Sequence, residues 1–452
     1  MTSPPTNDSD PRSLYRRKLR SAADAAGVLH PEDQIAVPIA AGQPAVLLRA
    51  LGDRGDWRDL LILGGLFLEP YPVLSRSGVR LLSGFFGPVE RALRGQGAAA
   101  DYLPSNFRGQ ARALRCLRPR VAAECVSPMD GDGYFTFGVH AGATYTDFVE
   151  AGRDPERVLI VEVNPGMPAV GGLANLGGNR VHVSEVEVVI ESEIPLPAIS
   201  DFPPTPEEKA IAGQVVGHIE HGATLQFGIG GVPNEIARAL AAGEKGDFGV
   251  HTEMIPDGIM LLHEVGKVSN RKGVHDGLSV ATFALGGFAL YRWMDGNPAL
   301  CMLPVEHSNE PAIIRRNRHM TSVNTALSVD LHGQVVAESL GGRQYSGTGG
   351  HEDFVMGAHE CPDGESFVVM TSTLEVRGER ISRIVARHPA GAIVTTPRYH
   401  LQYLVTEHGT VDLSLLSDAD RAMAIARLAD PAFRPALERE AEAVVRALRS
   451  PG

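Results

Sequence analysis

Short apolar runs rich in Val, Ile and Leu recur along the chain, separated by helical patterns and glycine-rich turns. Gln34–Ile39, Leu60–Leu66, Arg157–Val163, Ser279–Ala284, Ser366–Thr371 and Ala392–Thr396 are of this kind. Runs of this length without strict polar alternation suit strands covered on both faces, which is the environment of a mostly parallel α/β sheet. The fold class expected is therefore α/β. A weak internal repeat suggests that the unit occurs twice. Ala36–Leu51 aligns without gaps on Leu225–Leu240, with Gly42 on Gly231, Pro44 on Pro233 and a shared Arg-Ala-Leu ending. Each copy reads as strand, small-residue turn, proline and helix, and an apolar segment follows each.

A chain of 452 residues exceeds a single ordinary core, so two large domains are expected. The segment Ile194–Glu208 carries five prolines, which forbid a continuous helix or a central strand, and it reads as the linker. The domains expected are 13–200 and 201–452, after a disordered tail over 1–12 rich in Pro, Ser, Asp and Arg. Ser417, with Asp420 three residues on, predicts a capped helix, and Asp430-Pro431 should separate it from a last one.

The net charge of −12 argues against a nucleic-acid or anionic-membrane partner, although local backbone N–H groups can still bind a small anion. Four cysteines, none in a C-x-x-C pair, are too few for a disulfide framework, and a reducing cytoplasm is expected. The first residues lack the apolar stretch of a secretory signal. No apolar run reaches the roughly 20 residues needed to cross a bilayer.

Three segments carry candidate chemistry. Gly228-Ile229-Gly230-Gly231-Val232-Pro233 follows a strand and opens a helix, so an anion can approach its backbone. It lacks both the dinucleotide fingerprint and the P-loop ending, and an ordinary tight turn explains it equally well. Glu253, in Val250-His251-Thr252-Glu253-Met254, stands where an apolar strand gives way to a turn, the place of ligand contact in open α/β sheets. A carboxylate there suits a nucleophile or a base, and a solvated turn residue is the plainer alternative. Gln344–Phe354 packs glycines at 347, 349 and 350, which suits an oxyanion-binding nest or a simple hairpin. His263-Glu264 does not continue into a zinc helix, and the remaining histidines lack ligand spacing, so no metal is expected.

In their order, these segments resemble the acetyl-CoA hydrolase/transferase family, particularly its 4-hydroxybutyrate and butyrate CoA-transferase branch. The strings that carry the resemblance are GATLQFGIGGVPNEI, HTEMIPDG, VNTALSVDLHGQVVAES, QYSGTGGHEDFVMGA and AIVTTPR, with SPMDGDGYFTFGV, VLIVEVNPGMP and VHVSEV in the first half. The resemblance implies two related open α/β/α domains with the active site in the cleft between them. It implies that Glu253 is the nucleophile, that Gln226 faces it, and that Asn309 is an active-site amide. Gly228, Ile229, Gly230, Gly231 and Val232 match a CoA-binding loop, and Gly349 and Gly350 match CoA-contacting and oxyanion-stabilising positions. His351-Glu352 and Tyr345 depart from the usual pattern and bear on the choice of acid. The implied activity is ping-pong exchange of coenzyme A between an acyl-CoA and a small carboxylate through a glutamyl thioester. CoA is then a substrate rather than a bound cofactor, and a homo-oligomer is expected. An acyl-CoA hydrolase would use the same residues, and a non-catalytic acyl-CoA-binding partner is the remaining alternative.

Overall fold

A computed structural model describes residues 10–199 and 203–449. The chain divides into two compact units, one of residues 1–199 with 280–308 and the other of 200–279 with 309–452.

The first unit is built on a seven-stranded sheet. In spatial order its strands are Ala100–Tyr102, Val79–Ser83, Asp59–Gly65, Glu32–Ile39, Val121–Val126, Val158–Val163 and Val188–Glu191. Every neighbouring pair is parallel. Every residue of Val121–Val126 is buried, as a strand covered on both faces requires. Pro38 has no N–H to give the ladder, and the register shifts between Ala36 and Ile39. Its core gathers Leu47, Leu48 and Leu51 from helix Ala45–Asp53 with Ile35, Leu60, Ile62 and Leu81 from the sheet.

The second unit carries six strands in the order Gly249–Val250, Thr224–Phe227, Met320–Thr325, Glu365–Val369, Tyr403–Thr406 and Gly409–Asp412. The first five are parallel, and the last returns as an antiparallel hairpin. Its main core joins Val368 and Leu404 of the sheet to Ala422 and Ile425 of helix Asp418–Arg427 and Leu437 of helix Arg434–Arg449.

Both copies of the internal repeat are strand–turn–helix. The first runs from Glu32–Ile39 into helix Ala45–Asp53, the second from Thr224–Phe227 into helix Gly231–Ala242. In each sheet the repeat strand lies between the strand that follows it and the next one inward, so five consecutive positions share one order. The helix in the second copy starts at Gly231, inside the glycine-rich segment, and takes Pro233 into its first turn.

Several expectations are corrected. Residues 10–12 belong to an ordered helix start: Asp10 accepts from the Ser13 N–H and Pro11 opens helix Pro11–Lys18. The rest of the expected tail, residues 1–9, lies outside the described residues. Pro206–Glu208, read as linker, forms the first turn of helix Pro206–His218, with Thr205 and Glu208 making a capping box. Ala392–Thr396 is not a strand. It makes one isolated bridge through Thr396 to Val335, and Ile393 and Val394 are exposed. The second unit is also not an uninterrupted stretch after 200. Val280–Ser308 is held by the first unit, where Ile199 N–H donates to Gly286 O (3.0 Å), Met302 N–H to Gly171 O (2.9 Å) and Tyr291 OH to Pro197 O (2.8 Å). Ser417 caps helix Asp418–Arg427 through the Asp420 N–H, as its spacing predicts.

Candidate active site

Glu253 follows the short strand Gly249–Val250, at the carboxyl end of the second sheet. Parallel pairing with Thr224–Phe227 fixes that strand end, and the His251 N–H extends the ladder to Leu225 O (3.2 Å). The Thr252 hydroxyl donates to Met254 O (3.0 Å) and so holds the turn on which Glu253 sits.

Two groups meet the Glu253 carboxylate at a single oxygen. Asn309, fully buried, donates its Nδ2 to Oε2 at 2.6 Å. Gly350 presses its backbone against the same atom: a Cβ at this position would stand 2.0 Å from Oε2 and 2.4 Å from Asn309 Nδ2. Its φ of −95° suits any residue, so the requirement for glycine is one of space alone.

Packing explains why both groups arrive together. Helix Pro311–Ile314 follows Asn309, and helix His351–His359 follows Gly350. Ile314 packs among Phe354, Ala358 and Met320, and a Cβ at Gly357 would stand 2.5 Å from Ile314 Cγ2. The two helices are therefore locked together with their amino ends beside the carboxylate.

Burial dominates the electrostatics and pushes the Glu253 pKa up to about 8. The Asn309 hydrogen bond and the Gly350 N–H favour the ionised form, and the nearby Asp353 carboxylate opposes it. His351, next to Gly350, is kept neutral by burial, which drives its pKa down to about 4.

The glycine-rich segments take up distinct conformations. Gly230 adopts φ 130°, ψ 176°, open to glycine and strained for other residues, and caps helix Gly231–Ala242. Space beside Gly228 is open, Ile229 is exposed, and Val232 is buried at the helix start. The loop through Gly349 is anchored by Glu338, a residue not singled out from sequence. Its carbonyl accepts from Tyr345 N–H (2.8 Å) and Ser346 N–H (3.0 Å), and its carboxylate accepts from Thr348 Oγ1 (3.0 Å) and Thr395 Oγ1 (3.2 Å). Gln226 is buried on strand Thr224–Phe227, where its Oε1 accepts from Asn324 Nδ2 (3.2 Å). Among the described residues no hydrogen bond joins Gln226 to Glu253. The structure thus brings Glu253, Asn309 and Gly350 into contact, with Asp353 close enough to influence the carboxylate. Asn324 and Glu338 fall within strings of the family resemblance, which was the only signal able to flag them.

The model of the acetyl-CoA hydrolase/transferase C-terminal domain matches residues 286–441. A succinyl-CoA:cyclohexane-1-carboxylate CoA transferase of Geobacter metallireducens is 38% identical over 425 residues, covering 93% of this chain and 94% of the relative. The chain belongs to the acetyl-CoA hydrolase/transferase family. Within that family, a butyryl-CoA:acetate CoA-transferase of Anaerostipes caccae is 34% identical, covering 95% of this chain and 96% of its own. The crystal structure of RipA from Yersinia pestis matches with a TM-score of 0.87 at 34% identity, over 96% of this chain and 99% of that one. A 4-hydroxybutyrate CoA-transferase from Porphyromonas gingivalis matches with a TM-score of 0.78 at 28% identity, with the same coverage. The two related α/β domains are those of this enzyme family.

The raised pKa makes Glu253 a group whose stabilising contribution is complete below its unfolded value of about 4.5 and lost as pH rises through about 8. Glu253→Gln removes that loss. In thermal melts across this range, the advantage of the variant over the wild type should widen up to pH about 8 and then level off. A difference that stays flat or shrinks with rising pH contradicts the assignment.

Proposed function

We propose that this enzyme exchanges coenzyme A between an acyl-CoA and a small carboxylate of the acetate, butyrate or 4-hydroxybutyrate kind, through a covalent intermediate on Glu253. The observation that carries the reading is a desolvated carboxylate with both of its close neighbours on Oε2, Asn309 at 2.6 Å and the Gly350 backbone.

In the first step the ionised Glu253 bonds to the thioester carbonyl carbon, the C–S bond breaks, and CoA leaves as a thiolate. The product is an acyl-glutamyl anhydride. The thiolate then attacks the glutamyl carbonyl, the first acid departs as a carboxylate, and a glutamyl-CoA thioester remains. An incoming carboxylate reverses the two steps. Charge and atoms balance with no metal or redox group, and the order of events is ping-pong. Each tetrahedral intermediate puts negative charge on oxygen beside donors already in place. Asn309 Nδ2 and the Gly350 N–H serve this role, with Gln226 and Gly349 as further contributors.

Taking the carboxylate out of water makes it a stronger base and nucleophile than an exposed glutamate, while only about a tenth is ionised at pH 7 in the free enzyme. The loop Gly228–Val232 receives CoA, with exposed Ile229 offering apolar contact and the start of helix Gly231–Ala242 offering N–H groups. The sequence expectations of a cytoplasmic location and a homo-oligomer belong to this reading. Among the described residues no helix is long and apolar enough to cross a membrane.

Replacing Glu253 by Gln or Ala should abolish exchange while CoA binding survives, as followed by steady-state transfer assays and direct CoA titration. Gly350→Ala should lower turnover about 10²-fold or more, because the new methyl displaces the carboxylate from its donors. Wild-type turnover in either Glu253 variant, or in Gly350→Ala, refutes the assigned roles. Turnover that does not depend on an added carboxylate would make the enzyme an acyl-CoA hydrolase instead.

A further inference from the structure

Strand Gly249–Val250, which leads to Glu253, lies at the edge of the second sheet and is only two residues long. Gly249 N–H donates inward to Ala223 O (2.9 Å) and His251 N–H to Leu225 O (3.2 Å), so the Val250 N–H between them points off the sheet. Segment 267–270 stands in for one more strand there. Phe248 N–H donates to Lys267 O (2.9 Å), and Asn270 N–H returns to Phe248 O (3.0 Å). The imitation ends in a side chain. Asn270 Oδ1 accepts the buried Val250 N–H at 2.9 Å, where a real strand would offer a carbonyl.

Asn270 is buried, and its φ of 56° lies in the left-handed region that Asn enters more readily than most residues. Its loop is stiff. Gly277 N–H donates to Asn270 O (3.0 Å), the buried Lys272 donates Nζ to Val274 O and His275 O, and Asp276 Oδ1 accepts from Lys272 N–H (2.9 Å). The Asn270 amide also reaches onward: Nδ2 donates to the fully buried Ser279 Oγ (3.0 Å), which lies 2.8 Å from His263 Nε2. Burial drives the His263 pKa down to about 4, so the ring is neutral and Nε2 can accept the Ser279 hydroxyl proton. His263 belongs to helix Asp257–Glu264, which begins four residues after Glu253. One buried relay, from Val250 through Asn270 and Ser279 to His263, therefore holds the chain on both sides of the carboxylate.

We propose that Asn270 is a positioning residue for the Glu253 nucleophile. It touches no reacting atom; it fixes where the edge strand ends, and with it how the carboxylate meets Asn309 and Gly350. Without the amide, the buried Val250 N–H loses its acceptor and the backbone must shift to recover one. A shift of about 1 Å at a reacting group costs on the order of 10²-fold in rate. The inference deepens the CoA-transfer reading and rests on it.

Steady-state CoA exchange by the intact protein is the test, with folding checked by thermal melts. Asn270→Ala should lower kcat about tenfold or more while KM for the acyl-CoA stays within about twofold, because the CoA loop is untouched. Asn270→Asp keeps an acceptor for the Val250 N–H and should recover most of that loss. In an Asn309→Ala background, adding Asn270→Ala should cost less than about threefold, since both changes act on the same Glu253–Asn309 contact. Wild-type kcat in Asn270→Ala, a loss carried by KM, no recovery in Asn270→Asp, or full additivity with Asn309→Ala overturns the proposal. If Asn270→Ala does not fold, Ser279→Ala decides, because it spares the Val250 bond and cuts only the tie to His263. A lower kcat at unchanged KM then supports the proposal, and a wild-type kcat overturns it. Turnover by Glu253→Gln would overturn this proposal together with the reading beneath it. An inactive Glu253→Gln beside a fully active Asn270→Ala overturns the positioning role alone.

Discussion

A carboxylate withdrawn from water is the constraint around which the second unit is arranged. Glu253 stands at the end of a parallel strand, its pKa raised to about 8 chiefly by burial. An isolated buried charge would be prohibitive, so the site supplies partial compensation. The compensation comes from neutral donors, an amide and a backbone N–H, rather than from a cation. A guanidinium at that distance would hold the carboxyl ionised and depress its basicity. Neutral donors stabilise negative charge without quenching the nucleophile, and they remain in place when the charge moves to a tetrahedral oxyanion.

The scaffold keeps those donors in position. Asn309 and Gly350 precede two helices that are packed against each other through Ile314 and Gly357. Glu338 ties the loop before Gly350 to Thr348 and Thr395, and Thr396 binds Glu352 in the first turn of the following helix. The segment Ala392–Thr396 thus contributes side-chain anchors rather than a strand. Small groups and backbone carry the geometry, which is why a single added methyl at residue 350 has no room.

The α/β class and most of the strands were legible because buried parallel strands are apolar along their whole length. Ala392–Thr396 misled because composition alone does not reveal that Ile393 and Val394 face solvent. The paired strand–turn–helix units were legible through the repeat, since a tight turn into a helix needs small residues and proline at fixed offsets. The return of Val280–Ser308 to the first unit was not, because its partners at Gly171, Pro197 and Ile199 are about 80 to 130 residues away in sequence, and no local propensity encodes them. The same holds within the site. Glu253 announces itself as an acid at a strand end and through the family resemblance. Glu338, with partners at 348 and 395, is recognisable only once the chain is folded, as is Asn270, with partners at 250 and 279.

The central claim is that Glu253 forms a covalent bond to substrate in the course of exchange. Intact-mass measurement of the protein after exposure to a panel of short acyl-CoAs, followed by peptide mapping, addresses it without assuming which acid is used. A CoA-sized mass increase that maps to Glu253 is the predicted result. Binding of acyl-CoA with no adduct for any member of the panel, or an adduct on another residue, contradicts it.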